Sequence, residues 1–237
     1  MIALSAFSFL FGGGDAGTCA DESLHAQAVM QRIRTDWPLR GAGDPVSVYV
    51  QGLGDRLARR AGVEQTSGWH FYVVRNLAPN AFALGAGHFV VTDGLFALVN
   101  SESELAAVLA HEMSHDLAGH FCRKDSRHSE TFSVGALTQD FDPAAEAQAD
   151  SLAVGLLEGA GFDPGALATV LRCIAARSPP SNRAELQTRI DLLARRGLTG
   201  RQVAAPDSRG FRDARREVLS DLPGTGSGLG YSREPCE

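Results

Sequence analysis

The sequence predicts an α+β fold, a mostly helical domain with a small β-sheet next to one chemically marked helix. Three observations lead there. Apolar residues recur at helical intervals through most of the chain, a block between Trp69 and Thr92 is instead built of short aromatic and β-branched runs, and the motif HEMSH at 111–115 lies within a helical pattern. With 237 residues, 44% of them apolar, the chain can bury a core as one compact domain. The organisation expected is an N-terminal segment over 1–21, a single domain over 22–200 and an irregular tail over 201–237.

In chain order, residues 22–36 space their apolar side chains as an amphipathic helix closed by Trp37 and Pro38. A second helix is expected from Pro45 to Ala61, with Asp44 as N-cap, Pro45 at the first helical position and Gly62 beyond the end. WHFYVV, AFAL and HFVVT, separated by Asn, Pro and Gly, read as strands joined by turns. Helical pattern resumes at Asp93, and Ser101 with Glu104 forms a capping box at the start of the helix that bears the motif. Residues 123–140 are polar and aperiodic, hence a loop or partly ordered flap. Three further helices are expected, from Asp142 and Pro143 to Gly161, from Asp163 and Pro164 to Arg177, and from about Asn182 to Arg196. The Gly-, Pro- and Ser-rich composition after Gly200 predicts mostly irregular chain.

The bulk properties narrow the function. A formal charge of -6 without a long Lys/Arg cluster excludes the electrostatic footprint of a nucleic-acid binder. No run reaches the roughly 18–20 apolar residues needed to cross a bilayer as a helix. The apolar run IALSAFSFLF reads either as a signal peptide or as a short buried segment, since no Lys or Arg precedes it. Cys19, Cys122, Cys173 and Cys236 show no CxxC spacing, which argues against a cysteine-ligated metal; the even count permits disulfides without fixing their pairing, and the reading preferred for Cys122 and Cys173 is that of buried hydrophobes.

The chemistry is concentrated in HEMSH. On a helix, His111 and His115 are four residues apart and share a face, so both imidazoles can reach one ion, while Glu112 is turned beside it. Two nitrogen ligands plus a carboxylate able to take a proton from activated water is the donor set of a hydrolytic zinc site. A third ligand is required. Glu146 and Asp150 are the candidates, because acids at i and i+4 repel on an isolated helix unless a cation lies between them. Glu146 is assigned to the metal and Asp150 to orienting a ligating imidazole. His120 competes, but on a continuing helix it would point away from the ion, nine residues from His111.

Taken together, NAFALGAGHFVVTDGLFALVNSESELAAVLAHEMSHDLAGHF followed by EAQADSLAVGLLEGAGFDP resembles metallopeptidase family 48, over residues 46–196. The resemblance implies a zincin-type domain and a gluzincin site. One Zn(2+) per chain would be held by His111, His115 and Glu146, with Glu112 as general base and Asp150 behind the ligands. It also implies that the segment from Asn80 to Thr92, in particular Asn80, Ala81, Phe82, Gly85, Gly87 and His88, borders the cleft and offers an edge to an extended substrate. Gly85 and Gly87 equally suit a simple hairpin turn. One departure stands out. Where the family carries a His-Pro pair before an Arg-Ile step, this chain has Arg183 and Ala184 before Arg189 and Ile190, which makes Arg183 a candidate stabiliser of the transition state.

The expected function is therefore hydrolysis of internal peptide bonds in extended or misfolded polypeptides, as in envelope protein quality control. The alternative is a zinc-containing polypeptide-binding protein with weak or gated proteolysis. The partner expected is a polypeptide substrate, with no nucleic acid and no transmembrane segment apart from the possible signal; the sequence sets no oligomeric state. The resemblance to the soluble envelope branch implies an exported, periplasmic or membrane-associated protein, the alternative being a cytoplasmic one.

Overall fold

A three-stranded sheet with helices against both faces organises the computed structural model, which describes residues 20–60, 68–122, 131–133, 136–138, 142–200 and 207–221. The strands are β1 (His70–Val74), β2 (Ala81–Gly85) and β3 (His88–Thr92), in the order β1-β3-β2, with β1 parallel and β2 antiparallel to β3. Side chains alternate across a strand, so each strand feeds two cores. Phe71, Val73, Ala83, Phe89 and Val91 enter the main core, whereas Val74, Phe82, Leu84 and Val90 enter a second one.

The second core is closed by α1 (Ala20–Asp36), which contributes Ala26, Val29, Met30 and Ile33, followed by Trp37 edge-on to Phe82 with ring centroids 5.7 Å apart. The main core is built on α2 (Pro45–Arg60) and on α4 (Glu102–Leu117), with the short α3 (Asp93–Leu98) between them in sequence. Asp44 caps α2 as expected, its Oδ1 accepting the Val46 N–H at 2.9 Å. Ser101 caps α4 by accepting the Glu104 N–H at 3.2 Å, but the returning bond differs from a reciprocal box. Glu104 accepts from the Asn100 N–H at 2.7 Å, one residue earlier.

Four further helices follow: α5 (Pro143–Ala160), α6 (Ala166–Arg177), α7 (Pro180–Arg195) and α8 (Arg209–Asp221). Asp142 accepts two N–H groups at the start of α5, and Gly161, at φ 74°, ends it in the left-handed conformation that favours glycine. α6 starts later than expected because Asp163 first closes a turn, accepting the Gly165 N–H at 2.8 Å. α7 starts earlier, with Pro180 in its first turn.

Three expectations are corrected. The stretch 123–140, read as a loop or partly ordered flap without strands, contains an antiparallel pair, β4 (Thr131–Ser133) and β5 (Ala136–Thr138), whose three-residue length leaves no period to detect. The tail over 201–237 is not wholly irregular, because α8 buries Phe211, Ala214 and Val218 in the main core. Their helical spacing is hidden among charged neighbours, and the Gly/Pro-rich flanks dominate the composition of the segment. Cys122 and Cys173 are disulfide-bonded rather than free buried thiols. The apolar run at the N-terminus lies outside the described residues, and among those described no helix is long and apolar enough to cross a membrane.

Candidate metal centre

The site forms where α4 crosses α5 and α7 closes over the junction. α4 is buried almost all round through Leu105, Ala106, Leu109, Ala110 and Met113, so His115 is held in protein and His111 and Glu112 are only partly open to water. Such groups need partners, and α5, β2 and the turn after α4 supply them.

His111 Nε2 and His115 Nε2 face each other at 3.1 Å, and Glu146 closes the triangle with carboxylate oxygens 3.4 Å from the first and 3.5 Å from the second. One donor atom from each of the three residues lies within 4.8 Å of the others. This spacing fits a metal. Ligand bonds of about 2.0–2.1 Å around a tetrahedral ion place neighbouring donors about 3.3 Å apart. The donor types fit too, two imidazoles and a carboxylate.

Behind the donors, Asp150 Oδ1 lies 3.0 Å from His111 Nδ1. The contact is short but poorly aligned, and by strict hydrogen-bond geometry this buried nitrogen lacks a partner. The proximity still matters electrostatically. Burial opposes charge on His111, but Asp150 and Glu146 outweigh it and raise the imidazole to about 10, so in the metal-free protein a proton supplies the positive charge that these acids attract. His115 goes the other way, held neutral by burial and by the neighbouring His111 and His120.

Glu112 is partly buried and its Oε2 accepts the Ala83 N–H at 3.0 Å, which ties the carboxylate to the edge strand β2. Burial pushes this carboxyl up to about 7, with His111 and the Ala83 N–H pulling it down and Glu146 adding to the rise. A carboxyl balanced near neutrality suits proton transfer at physiological pH.

The sequence reading used Arg189 only as a landmark, yet it is central here. From α7 its Nε and Nη2 grip both oxygens of Asp150 at 2.7 and 2.8 Å, and its Nη1 lies 2.6 Å from Glu146 Oε2. Burial opposes ionisation of both acids, but Arg189 and His111 prevail and hold them below their ordinary range, Asp150 at about 2. A lone arginine on a separate helix gives no local signal of this role. Arg183 is not brought to the site. It is exposed and its Nε donates to the Ser178 carbonyl at 2.8 Å, capping the preceding helix.

His120 also departs from expectation. α4 stops at Leu117, Gly119 turns the chain at φ 63°, and a 3-10 turn over His120–Cys122 brings the fully buried His120 back, with its Nδ1 2.9 Å from His115 Nδ1. The helical-wheel argument assumed a helix that does not continue.

The proposed substrate edge divides into two ends. Asn80 pairs with Thr92, and Ala81 to Ala83 lie along β2 with Phe82 packed under α1 and Ala83 reaching Glu112. At the other end, a Cβ on Gly85 would meet the Glu22 side chain at 2.6 Å, and one on Gly87 would meet Trp69 at 2.7 Å. Both glycines have φ near +80° and build the turn, Gly87 donating its N–H to Asp116 at 2.8 Å. His88 stacks on His70 and lies 3.3 Å from the Tyr72 hydroxyl. The contacts of Gly85, Gly87 and His88 go to the scaffold rather than to the donor cluster.

Comparison with known proteins places these features in context. Residues 47–139 match the model for "Peptidase family M48". The chain is 31% identical over 202 residues to a beta-barrel assembly-enhancing protease of Yersinia pestis, covering 69% of this chain and 41% of that protein. It is 30% identical over 207 residues to the protein of that name from Escherichia coli (strain K12), covering 71% and 42%. It is also 29% identical over 146 residues to the mitochondrial metalloendopeptidase OMA1 of Schizosaccharomyces pombe, covering 53% and 43%. The chain thus spans less than half the length of these curated relatives.

Proposed function

The chain belongs to peptidase family M48, and from that premise we propose that it is a zinc-dependent endopeptidase acting on extended or misfolded polypeptides in the bacterial envelope. The observation that carries this reading is the convergence of His111, His115 and Glu146 beside Glu112, itself tethered to an edge strand.

His111, His115 and Glu146 would hold the zinc, which would supply Lewis-acid activation of water. Glu112 is the general base, able to accept a proton from the attacking water and return it to the leaving amine. Arg189 and Asp150 hold Glu146 and His111 in place, so that the donors do not have to reorganise during a turnover. β2 is the outer strand of its sheet, and an extended substrate can add along Asn80 to Ala83 through backbone hydrogen bonds, which places a scissile carbonyl next to Glu112. Because the Ala83 N–H is shared with Glu112, arrival of substrate and freeing of the base are linked.

Two further observations support the envelope assignment. Disulfides at Cys122 and Cys173 suit an oxidising compartment. Relatives in Yersinia pestis and Escherichia coli bear names tied to β-barrel assembly.

The test is cleavage of an unfolded casein-type substrate by zinc-loaded protein. The parent is expected to cleave internally, and Glu112→Gln to retain zinc while losing about 10²-fold to 10⁴-fold in rate. Parent-like proteolysis by Glu112→Gln removes the assignment. Retention of the substrate without cleavage by the parent favours the polypeptide-binding alternative.

A further inference from the structure

The two ligand imidazoles are supported differently. His111 has the Asp150 carboxylate behind it, whereas His115 has another imidazole. His120 Nδ1 lies 2.9 Å from His115 Nδ1, and the far nitrogen of His120, Nε2, lies 3.2 Å from Gln148 Oε1.

The polarity of this line follows from its outer end. An amide oxygen only accepts, so His120 carries its proton on Nε2. In a neutral imidazole the other nitrogen is then a lone pair, and the short Nδ1···Nδ1 contact is a hydrogen bond only if His115 donates from Nδ1. That leaves the lone pair of His115 on Nε2, the atom that faces His111 and Glu146. We propose that Gln148 and His120 are positioning residues that set the tautomer of His115 and hold its Nε2 ready for the metal. This rests on the reading of His115 as a ligand.

The fold explains how two residues so far apart in sequence meet. Gly119 turns His120 under His115, and Gln148 lies on α5 two residues beyond Glu146, so the helix that supplies the carboxylate ligand also supplies the end of the line. The choice of an imidazole here has an electrostatic use as well. The centre already holds Glu112, Glu146 and Asp150 against Arg189, and an imidazole orients His115 without adding a fourth acid.

Reversing the Gln148 amide would reverse every hydrogen bond in the line and put a proton on His115 Nε2, where it blocks coordination. Gln148 is exposed, so its polarity can be changed without disturbing the core. Gln148→Glu keeps an acceptor; Gln148→Lys presents a donor; Ala147→Lys adds the same charge next to the line without entering it.

The experiment combines long-range 1H–15N correlation spectra of the metal-free protein with zinc competition against a chelator. The parent is expected to show His115 protonated on Nδ1 and His120 on Nε2. Gln148→Lys is expected to bind zinc about 10-fold to 100-fold more weakly than Ala147→Lys, and Gln148→Glu to stay close to the parent. A His115 protonated on Nε2 in the parent, or equal zinc affinities for the two lysine variants, overturns the proposal. Glu146→Ala run alongside keeps the outcomes separate, because undiminished zinc affinity in that variant refutes the metal assignment itself.

Discussion

Two arginine-centred ionic clusters are built into this molecule, and they do different work. Beside β1 and the end of β3, Arg40, its side chain wholly buried, places each of its three side-chain nitrogens on an acid, with Nε and Nη2 on Asp93 at 2.8 Å, Nη1 on Asp44 at 3.2 Å and Nη2 on Asp221 at 2.9 Å. At the metal centre Arg189 likewise binds Asp150 and Glu146, but there two imidazole nitrogens and a carboxylate also point at a common locus. The first cluster is complete in itself. The second has donor atoms facing one another in a way that a cation resolves. Buried charge alone therefore does not mark a site; convergent lone pairs do.

The largest expected effect breaks the structural cluster. Arg40→Ala leaves Asp93 buried without its partner and loosens the end of α8 at Asp221, at a cost of about 3–5 kcal/mol. Urea denaturation checks this. Because the clusters are separate, removing zinc with a chelator is expected to lower the melting temperature of parent and variant by the same amount, and unequal shifts would couple the two regions.

Next in size is the covalent contribution. Reduction of the disulfides at Cys122 and Cys173 is expected to cost about 2–5 kcal/mol. Thiol titration of the native protein is expected to find neither cysteine reactive, and prompt labelling of either would contradict the bonded state. Cys122 ends the turn that carries His120, so the loss is expected to reach zinc affinity as well as stability.

The smallest effect lies in the sheet. Burial, with His70 and Arg34 adding, holds His88 below the ordinary 6.5 of an imidazole. Between its folded value and 6.5 the unfolded chain takes up a proton that the folded chain does not. Stability from this group is thus full above pH 6.5 and declines as the pH falls, levelling off below the folded value. His88→Gln is expected to flatten the fall in denaturation midpoint between pH 7 and pH 5, and an unchanged slope would rule this source out.

The same contrast explains what could be read from the sequence. Glu112, His111 and His115 share one helix, and Glu146 and Asp150 share another, so a 3.6-residue period is enough to bring each set together. The strands were legible because both faces of the sheet are covered and their apolar runs are nearly continuous. Arg189 was not legible as a site residue, since it meets Asp150 across 39 positions and only tertiary packing joins them. His120 stays outside the donor group, as read, but by a different route, because one positive-φ glycine redirects the chain. α8 was missed because its three core residues are sparse among charges, and what fixes its N-terminal end is Glu102, which accepts from the Ser208 N–H and hydroxyl at 3.0 and 2.7 Å.

Metal stoichiometry tests the central claim most directly. Elemental analysis of Glu112→Gln and Glu146→Ala, both loaded with zinc and freed of excess, separates the base from the ligand. About one zinc per chain in the first and almost none in the second is the predicted result. Equal zinc content in the two proteins would contradict the account.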